Sequence, residues 1–295
     1  MKRRYFVGIC LGFLFLFNTQ NFVAQNKSDL WMESGQVERS KLDVLKVPSE
    51  GNFYSLNTQK LQQQLGALSV GSSYQSKSNI QVVLPTPNGA MEVFNVSDAS
   101  VFSEELQREF PLIRSFIGKS ENYGVRFSFS PQKGFSATFI SGEKLGFIEP
   151  VEYGKYILYS RTDKNRLSGK FECLTEDFSK NISKSVSTLK DADDGVLRTF
   201  RLALSVTAEY TEYFHGGSVG VGEEDAAKAA ALAGMNATLT RVNGVFERDF
   251  AVRLQLISNV NDIIYTDPVT DPYSDYNSSS NWNSELQSNL TATIG

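Results

Sequence analysis

The sequence predicts a mixed protein, with a β-rich α+β first part followed by an α/β second part. Three observations carry this. Within residues 80–159, several short runs alternate apolar and polar side chains, the period of a half-buried strand. Residues 200–256 read as strand, long helix and strand, a βαβ unit that implies parallel pairing. Between the two, 179–195 is crowded with Ser, Lys and Asp, a composition too poor in apolar surface to order itself.

In the first part, 56–65 opens a short helix and the Gly/Ser-rich run 71–78 reads as a loop. The apolar run 80–84, the turn Pro87-Asn88-Gly89 and the return over 91–96 form a hairpin. Ser103, followed by Glu104 and Glu105, starts a helix with an N-cap and an acidic first turn, and Phe110-Pro111 interrupts it. Val125, Phe127 and Phe129 alternate with Arg126, Ser128 and Ser130, which predicts a half-buried strand. Phe135, Ala137 and Phe139 repeat the pattern across a turn at 131–134, and Phe147-Ile148 and 156–159 add further strands. The expected product is an antiparallel sheet with one or two helices packed on one face.

In the second part, Phe200, Leu202, Leu204 and Val206 mark the first strand. A glycine-rich loop, 216–222, precedes Glu223-Glu224-Asp225, which places acid at the positive end of a long helix. Leu232, Met235, Leu239, Val242 and Phe246 recur every three or four residues and form its apolar stripe. Val252, Leu254 and Leu256 make the second strand. Asp267-Pro268 and Asp271-Pro272 are a pair of turns, and 282–294 starts a last helix.

The N-terminus bounds the compartment. Lys2, Arg3 and Arg4 precede the apolar run 5–17, and Ala24-Gln25 offers a small residue before a cut, so 1–24 is expected to be a signal peptide. The run falls short of the roughly 20 apolar residues a bilayer span needs. Cys10 lies well before the cleavage point, which argues against a lipid anchor. No second apolar stretch is long enough to span, so no membrane association is expected after signal removal. A net charge of −4 argues against nucleic acid, which calls for a basic face. Export leaves Cys173 as a single thiol in an oxidising compartment, either a small buried core residue or a thiolate able to bind zinc. Lys184, Lys190 and Arg198 make the polar connection readable by a trypsin-like protease.

Histidine limits the chemistry. The sequence has one, His215, on an expected loop. A catalytic zinc takes three protein ligands, most often with two or more histidines, so this chain cannot assemble that set. A Ser-His-Asp relay would likewise have to run through His215. The loop 216–222 has the strand-to-helix setting of a phosphate cradle, but no Lys-Ser/Thr follows and the acids at the helix start repel phosphate. Asp267, Asp271 and Asp275 form an oxygen-rich turn of the kind calcium favours. EF-hand spacing and its closing Glu are missing, so a plain turn is the expectation and calcium is possible but unsupported.

The stretches 197–205 (LRTFRLALS) and 235–250 (MNATLTRVNGVFERDF) resemble the start of a reprolysin-like metzincin catalytic domain of the secreted Bacteroidetes type. Tyr265-Thr266-Asp267-Pro268 and Asn281-Trp282-Asn283 are similar to that family too. The upstream part resembles its pro-domain more loosely, through Pro87-Asn88-Gly89 with the following strand and 110–113 with Gly118. The resemblance implies a pro-domain over 25–175, a linker and processing region over 176–197, and the N-terminal part of a metzincin-like mixed-sheet catalytic domain over 198–295. The complete parent would be a secreted zinc metalloendopeptidase zymogen acting on protein or peptide substrates. The family's HExxHxxGxxH helix, with its general-base Glu, and its Met-turn have no counterpart in the sequence. No catalytic or metal-ligating residue is therefore carried over, and the chain is expected to be truncated before that helix, to bind no zinc and to be inactive. Arg201 stands where the family carries a calcium-binding glutamate. Cys173 is implied as an inhibitory zinc-binding thiol. The rival reading is an exported, non-enzymatic binding or inhibitory module.

Overall fold

The computed structural model describes residues 29–35, 51–68, 80–142, 144–152, 154–161, 195–274 and 280–295. The expected loop 71–78, the signal cleavage point Ala24-Gln25, Cys173 and most of the connection 176–197 lie outside the described residues.

Nine strands form one antiparallel sheet: β1 (Trp31–Glu33), β2 (Asn52–Leu56), β3 (Ile80–Pro85), β4 (Met91–Asp98), β5 (Arg114–Lys119), β6 (Gly124–Ser130), β7 (Gly134–Ser141), β8 (Lys144–Glu152) and β9 (Lys155–Ser160). Their order is β1-β2-β9-β8-β7-β6-β5-β4-β3. The two edge strands, β1 and β3, approach each other, so the sheet curls until it is nearly a barrel. Consecutive strands from β3 to β9 are neighbours, joined by short turns except between β4 and β5, where residues 99–113 carry a helical excursion, as antiparallel pairing permits. The β3–β4 turn is held by Asn88, whose Oδ1 accepts from the Ala90 amide at 3.0 Å, and Gly89 takes φ 84°, which favours glycine.

The concave side is an aromatic core. Trp31 packs edge-on against Phe135 at 5.2 Å and Tyr156 at 5.5 Å, and Phe116 stacks on Phe127 at 4.9 Å. Helix α1 (Thr58–Gly66), capped by Asn57, sends Leu61 and Leu65 into the same cluster. Burying rings of this size is worth roughly 1.5–3 kcal/mol each, which makes this core the main support of the sheet.

The second part is the expected βαβ unit. Strand β10 (Arg198–Leu202) pairs in parallel with β11 (Val252–Leu256), from Arg198 opposite Val252 to Leu202 opposite Leu256. Helix α4 (Glu224–Phe250) makes the crossover. Ala251, at φ 51°, ends it in a left-handed turn that passes straight into β11. The first strand is shorter than its alternation suggests: it stops at Leu202, opposite the last residue of β11, Val206 keeps a single parallel bridge to Ile264, and helix α3 (Ala208–His215) follows, capped by Thr207 and closed by Gly216 at φ 95°. His215 is therefore the last helical residue and not a loop residue. Helix α5 (Trp282–Thr293) follows the turns of 267–274.

The second core draws on both parts. Val101, Phe102, Leu106 and Ile113, from the segment around α2 (Glu104–Glu109), cluster with Leu232, Met235, Leu239, Leu256 and Ile263. In one respect the sheet departs from the alternating pattern. The outward side chains Ser115, Arg126, Ser128, Ser136 and Thr138 are buried, not solvated. The cause is α4, which lies across β5, β6 and β7.

Candidate functional site

The most elaborate arrangement among the described residues is the contact between the outer face of the sheet and the α4–β11 unit. It begins with a main-chain strap. In β11, Leu254 and Leu256 turn their backbone groups away from β10, toward the open edge. Leu256 N–H donates to Val101 O at 2.8 Å, and Ser103 N–H donates to Leu256 O at 3.0 Å. Phe102 thereby forms a parallel bridge with Leu256. Gln255 Nε2 donates to Phe102 O at 2.9 Å. The neighbouring position on the edge is closed from within, since Asn243 Nδ2 donates to Leu254 O and Asn243 Oδ1 accepts from Leu254 N–H, both at 2.9 Å. Bare strand edges invite further pairing, and this one is covered at both exposed residues.

Beside the strap is a dry polar cluster. Ser115 Oγ donates to Asn236 Oδ1 at 2.7 Å and lies 2.6 Å from Thr240 Oγ1. Asn236 Nδ2 donates to Arg114 O at 3.2 Å, and Thr240 Oγ1 donates to Asn236 O at 2.6 Å. Arg114 itself is anchored on Asp98, its Nη2 donating to Oδ1 at 2.6 Å. Ser115 and Asn243 are fully buried. Such groups are costly to bury unless each finds a partner; Ser115 finds its partners across the contact and Asn243 finds its own within the α4–β11 unit.

Toward the C-terminal end of α4 the contact becomes ionic. Glu247 sits between Arg126 of β6 and Arg253 of β11, pairing with the first through Oε2 and with Arg253 Nε at 3.2 Å through Oε1. Arg126 and Glu247 are almost wholly buried. Arg241 pairs with Glu149 of β8 and rests its guanidinium 5.2 Å from the centre of the Phe147 ring. Gly244 allows the close approach, because a Cβ there would lie 3.2 Å from Arg126 Cγ. A cavity of about 360 Å³ remains beside this end, walled by Ile117, Val125, Ile140, Gly244 and Arg248.

The residues singled out from the sequence are dispersed. His215 Nδ1 lies 3.3 Å from Gly217 O, in the turn after α3, and no other imidazole exists in the chain. The glycine-rich loop is occupied by its own acids: Gly220 N–H donates to Glu223 Oε2 and Gly222 N–H donates to Glu224 Oε2, both at 2.9 Å. The amides a phosphate would use are thus taken by carboxylates. Asp267 accepts from Val269 N–H at 2.9 Å and Thr270 Oγ1 at 2.8 Å, bonds that hold its carboxyl below the usual carboxylate range. Asp271 caps α3, accepting from Ala208 N–H at 3.0 Å. Both act as turn and cap residues. Asp275 lies outside the described residues. Tyr210, whose hydroxyl pKa is pushed up to about 12 by burial, packs against the second core and bonds the Thr238 side chain.

The sheet-to-helix contact was not anticipated from the sequence, although a signal for it exists. Asn236, Thr240, Asn243 and Glu247 follow one another at spacings of four, three and four, a second stripe beside the apolar one. A polar stripe normally marks a solvated face. Small neighbours such as Ala233, Ala237 and Gly244 are the sign that this one is packed.

The fold and this contact define a mixed protein in which a long helix and its parallel strand pair are clasped by an antiparallel sheet. The helix-and-strand unit has a known likeness: residues 196–295 match the model of Metallo-peptidase family M12B, Reprolysin-like. No curated protein and no solved structure matches the chain. The matched family is generally zinc-dependent. The residues present do not fit that metal: among the described residues no three His, Cys, Asp or Glu side chains converge, and the single histidine is spent on a helix end. No helix among the described residues is long and apolar enough to cross a membrane.

Proposed function

We propose that this chain is the N-terminal portion of a secreted zinc metalloendopeptidase zymogen: signal peptide 1–24, pro-domain 25–175, processing region 176–197, and from 198 the first part of the catalytic domain. The observation that carries the reading is the family match over 196–295, which falls on β10, α3, α4, β11 and α5 together. Peptide-bond hydrolysis belongs to the complete parent. Residues 1–295 contribute scaffold and restraint, and no catalytic step runs through them. Protein or peptide substrates follow from the peptidase family. The sheet covers α4 and the edge of β11, the disposition a pro-domain would need in order to hold the catalytic part before processing. Cys173 is retained as the thiol that restrains the parent.

The test uses the longest natural reading frame that contains residues 25–295. Secreted and purified, it should show zinc-dependent proteolysis that is latent until it is cut between 176 and 197, and Cys173→Ala should raise the basal rate. A frame lacking an HExxH helix, or no proteolysis from any processed form, would overturn the proposal. That outcome would favour an exported binding or inhibitory module, with the β-rich first part as the partner-binding half.

A further inference from the structure

We infer that the nine-stranded sheet and the 195–295 unit form a complex that survives loss of the covalent connection, so that cutting between them does not by itself separate them. The inference concerns release. It holds whether or not the parent is a peptidase.

Three independent observations support it. First, the two parts share one hydrophobic core: Phe102 and Leu106, at 1% and 0% exposure, sit among side chains of 206–264, so separation would bare them to water. Second, Val101 and Ser103 complete the open edge of β11 with two main-chain hydrogen bonds, and Gln255 adds a third onto Phe102. This is strand addition with the added strand drawn from the same chain, the mode by which separate peptides bind sheet edges. Third, Glu247 is held by Arg126 from the sheet and Arg253 from its own unit. Separation breaks the Arg126–Glu247 pair and returns both charges to water, whereas removing one of them inside the intact contact leaves the other buried and unpaired. Removing one member of such a buried pair costs far more than removing a surface charge.

The contact therefore resembles an obligate interface, with a hydrophobic centre, hydrogen bonds across it and a buried ion pair. Chain connectivity adds effective concentration to such an interface and no contact of its own. A cut in the connection leaves each of these bonds in place. Separation then needs a second event, such as digestion of the sheet or disruption of the strap at Ala99–Ser103.

The test is to place a site-specific protease sequence between Lys180 and Asp191 of the chain from residue 25 to 295, cut it to completion, and follow the product by size-exclusion chromatography from 10 µM down to 10 nM, roughly the range that separates weak from stable complexes. The two pieces should co-elute throughout. Elution as two species at micromolar concentration would overturn the inference. Arg126→Gln, cut in the same way, should bind at least about tenfold more weakly; an unchanged affinity would remove the ionic argument. Hydrogen exchange gives a second readout that does not depend on elution. The Leu256 and Ser103 amides should stay equally protected before and after the cut, and loss of protection on cutting would contradict the complex directly.

Discussion

Individual residues in this molecule are read best by asking what their polar atoms do. Asp267 is an example. In the sequence it belonged to an acidic turn that suggested calcium; in the structure its two oxygens accept from Val269 N–H and Thr270 Oγ1. Those bonds lower its folded-state pKa, first through the backbone amide and then through the hydroxyl. The sign follows from linkage. A depressed carboxylate contributes stability that is fully present above its unfolded value of about 4 and is lost as pH falls through the folded value. Asp267→Ala should therefore lower the urea midpoint at pH 7 by a modest amount, and the difference from the parent should fade as pH is taken below about 4. Urea titrations at pH 7, 4 and 2.5 read this out, and a difference that persisted at pH 2.5 would show that something other than the carboxylate charge was lost. The histidine teaches a different lesson. Its scarcity is legible in the sequence, but its place at the end of α3 is not, because the Thr207 cap and the Gly216 stop stand beside a stronger strand pattern.

At the scale of elements, the strands and the two long helical signals were legible because their periods are set locally. The hairpins at Pro87-Asn88-Gly89 and 131–134 and the helix start at Ser103 all appear where turn and cap chemistry placed them. The parallel pairing of β10 with β11 followed from the crossover. What was not legible was coverage. The alternation of β6 identifies two faces but does not say what lies on the polar one, and Arg126, Ser128 and Ser130 look like solvent-facing residues until α4 is placed over them. That is a tertiary fact, set by the companion stripe on the helix. Helix packing can be tested at Gly234, where a Cβ would come within 2.6–2.7 Å of the Phe214 ring. Ala is the better helix former by about 1 kcal/mol. Gly234→Ala should nevertheless destabilise by about 1–3 kcal/mol, because the ring must leave its place between α3 and α4. Denaturant unfolding measures this, and pairing it with Phe214→Leu should recover part of the loss; a stabilised single variant would mean that α3 does not pack as described.

At the scale of the molecule, two cores and one contact explain how a β-rich part and a helical part make a unit. The barrel-like sheet is supported from inside by its aromatics, and its outer face is used a second time, to hold α4 and the edge of β11. The family match rests on the held unit. The metal chemistry of that family depends on imidazoles, of which this chain contains one; under the proposal above these residues hold and restrain, and hydrolysis belongs to the proposed parent. The most direct test is metal and turnover together. Residues 25–295, purified without chelators and loaded with zinc, should retain well under one zinc per chain after gel filtration, by plasma mass spectrometry, and should leave a fluorogenic peptide library uncut. One tightly held zinc per chain together with peptide turnover would contradict the account.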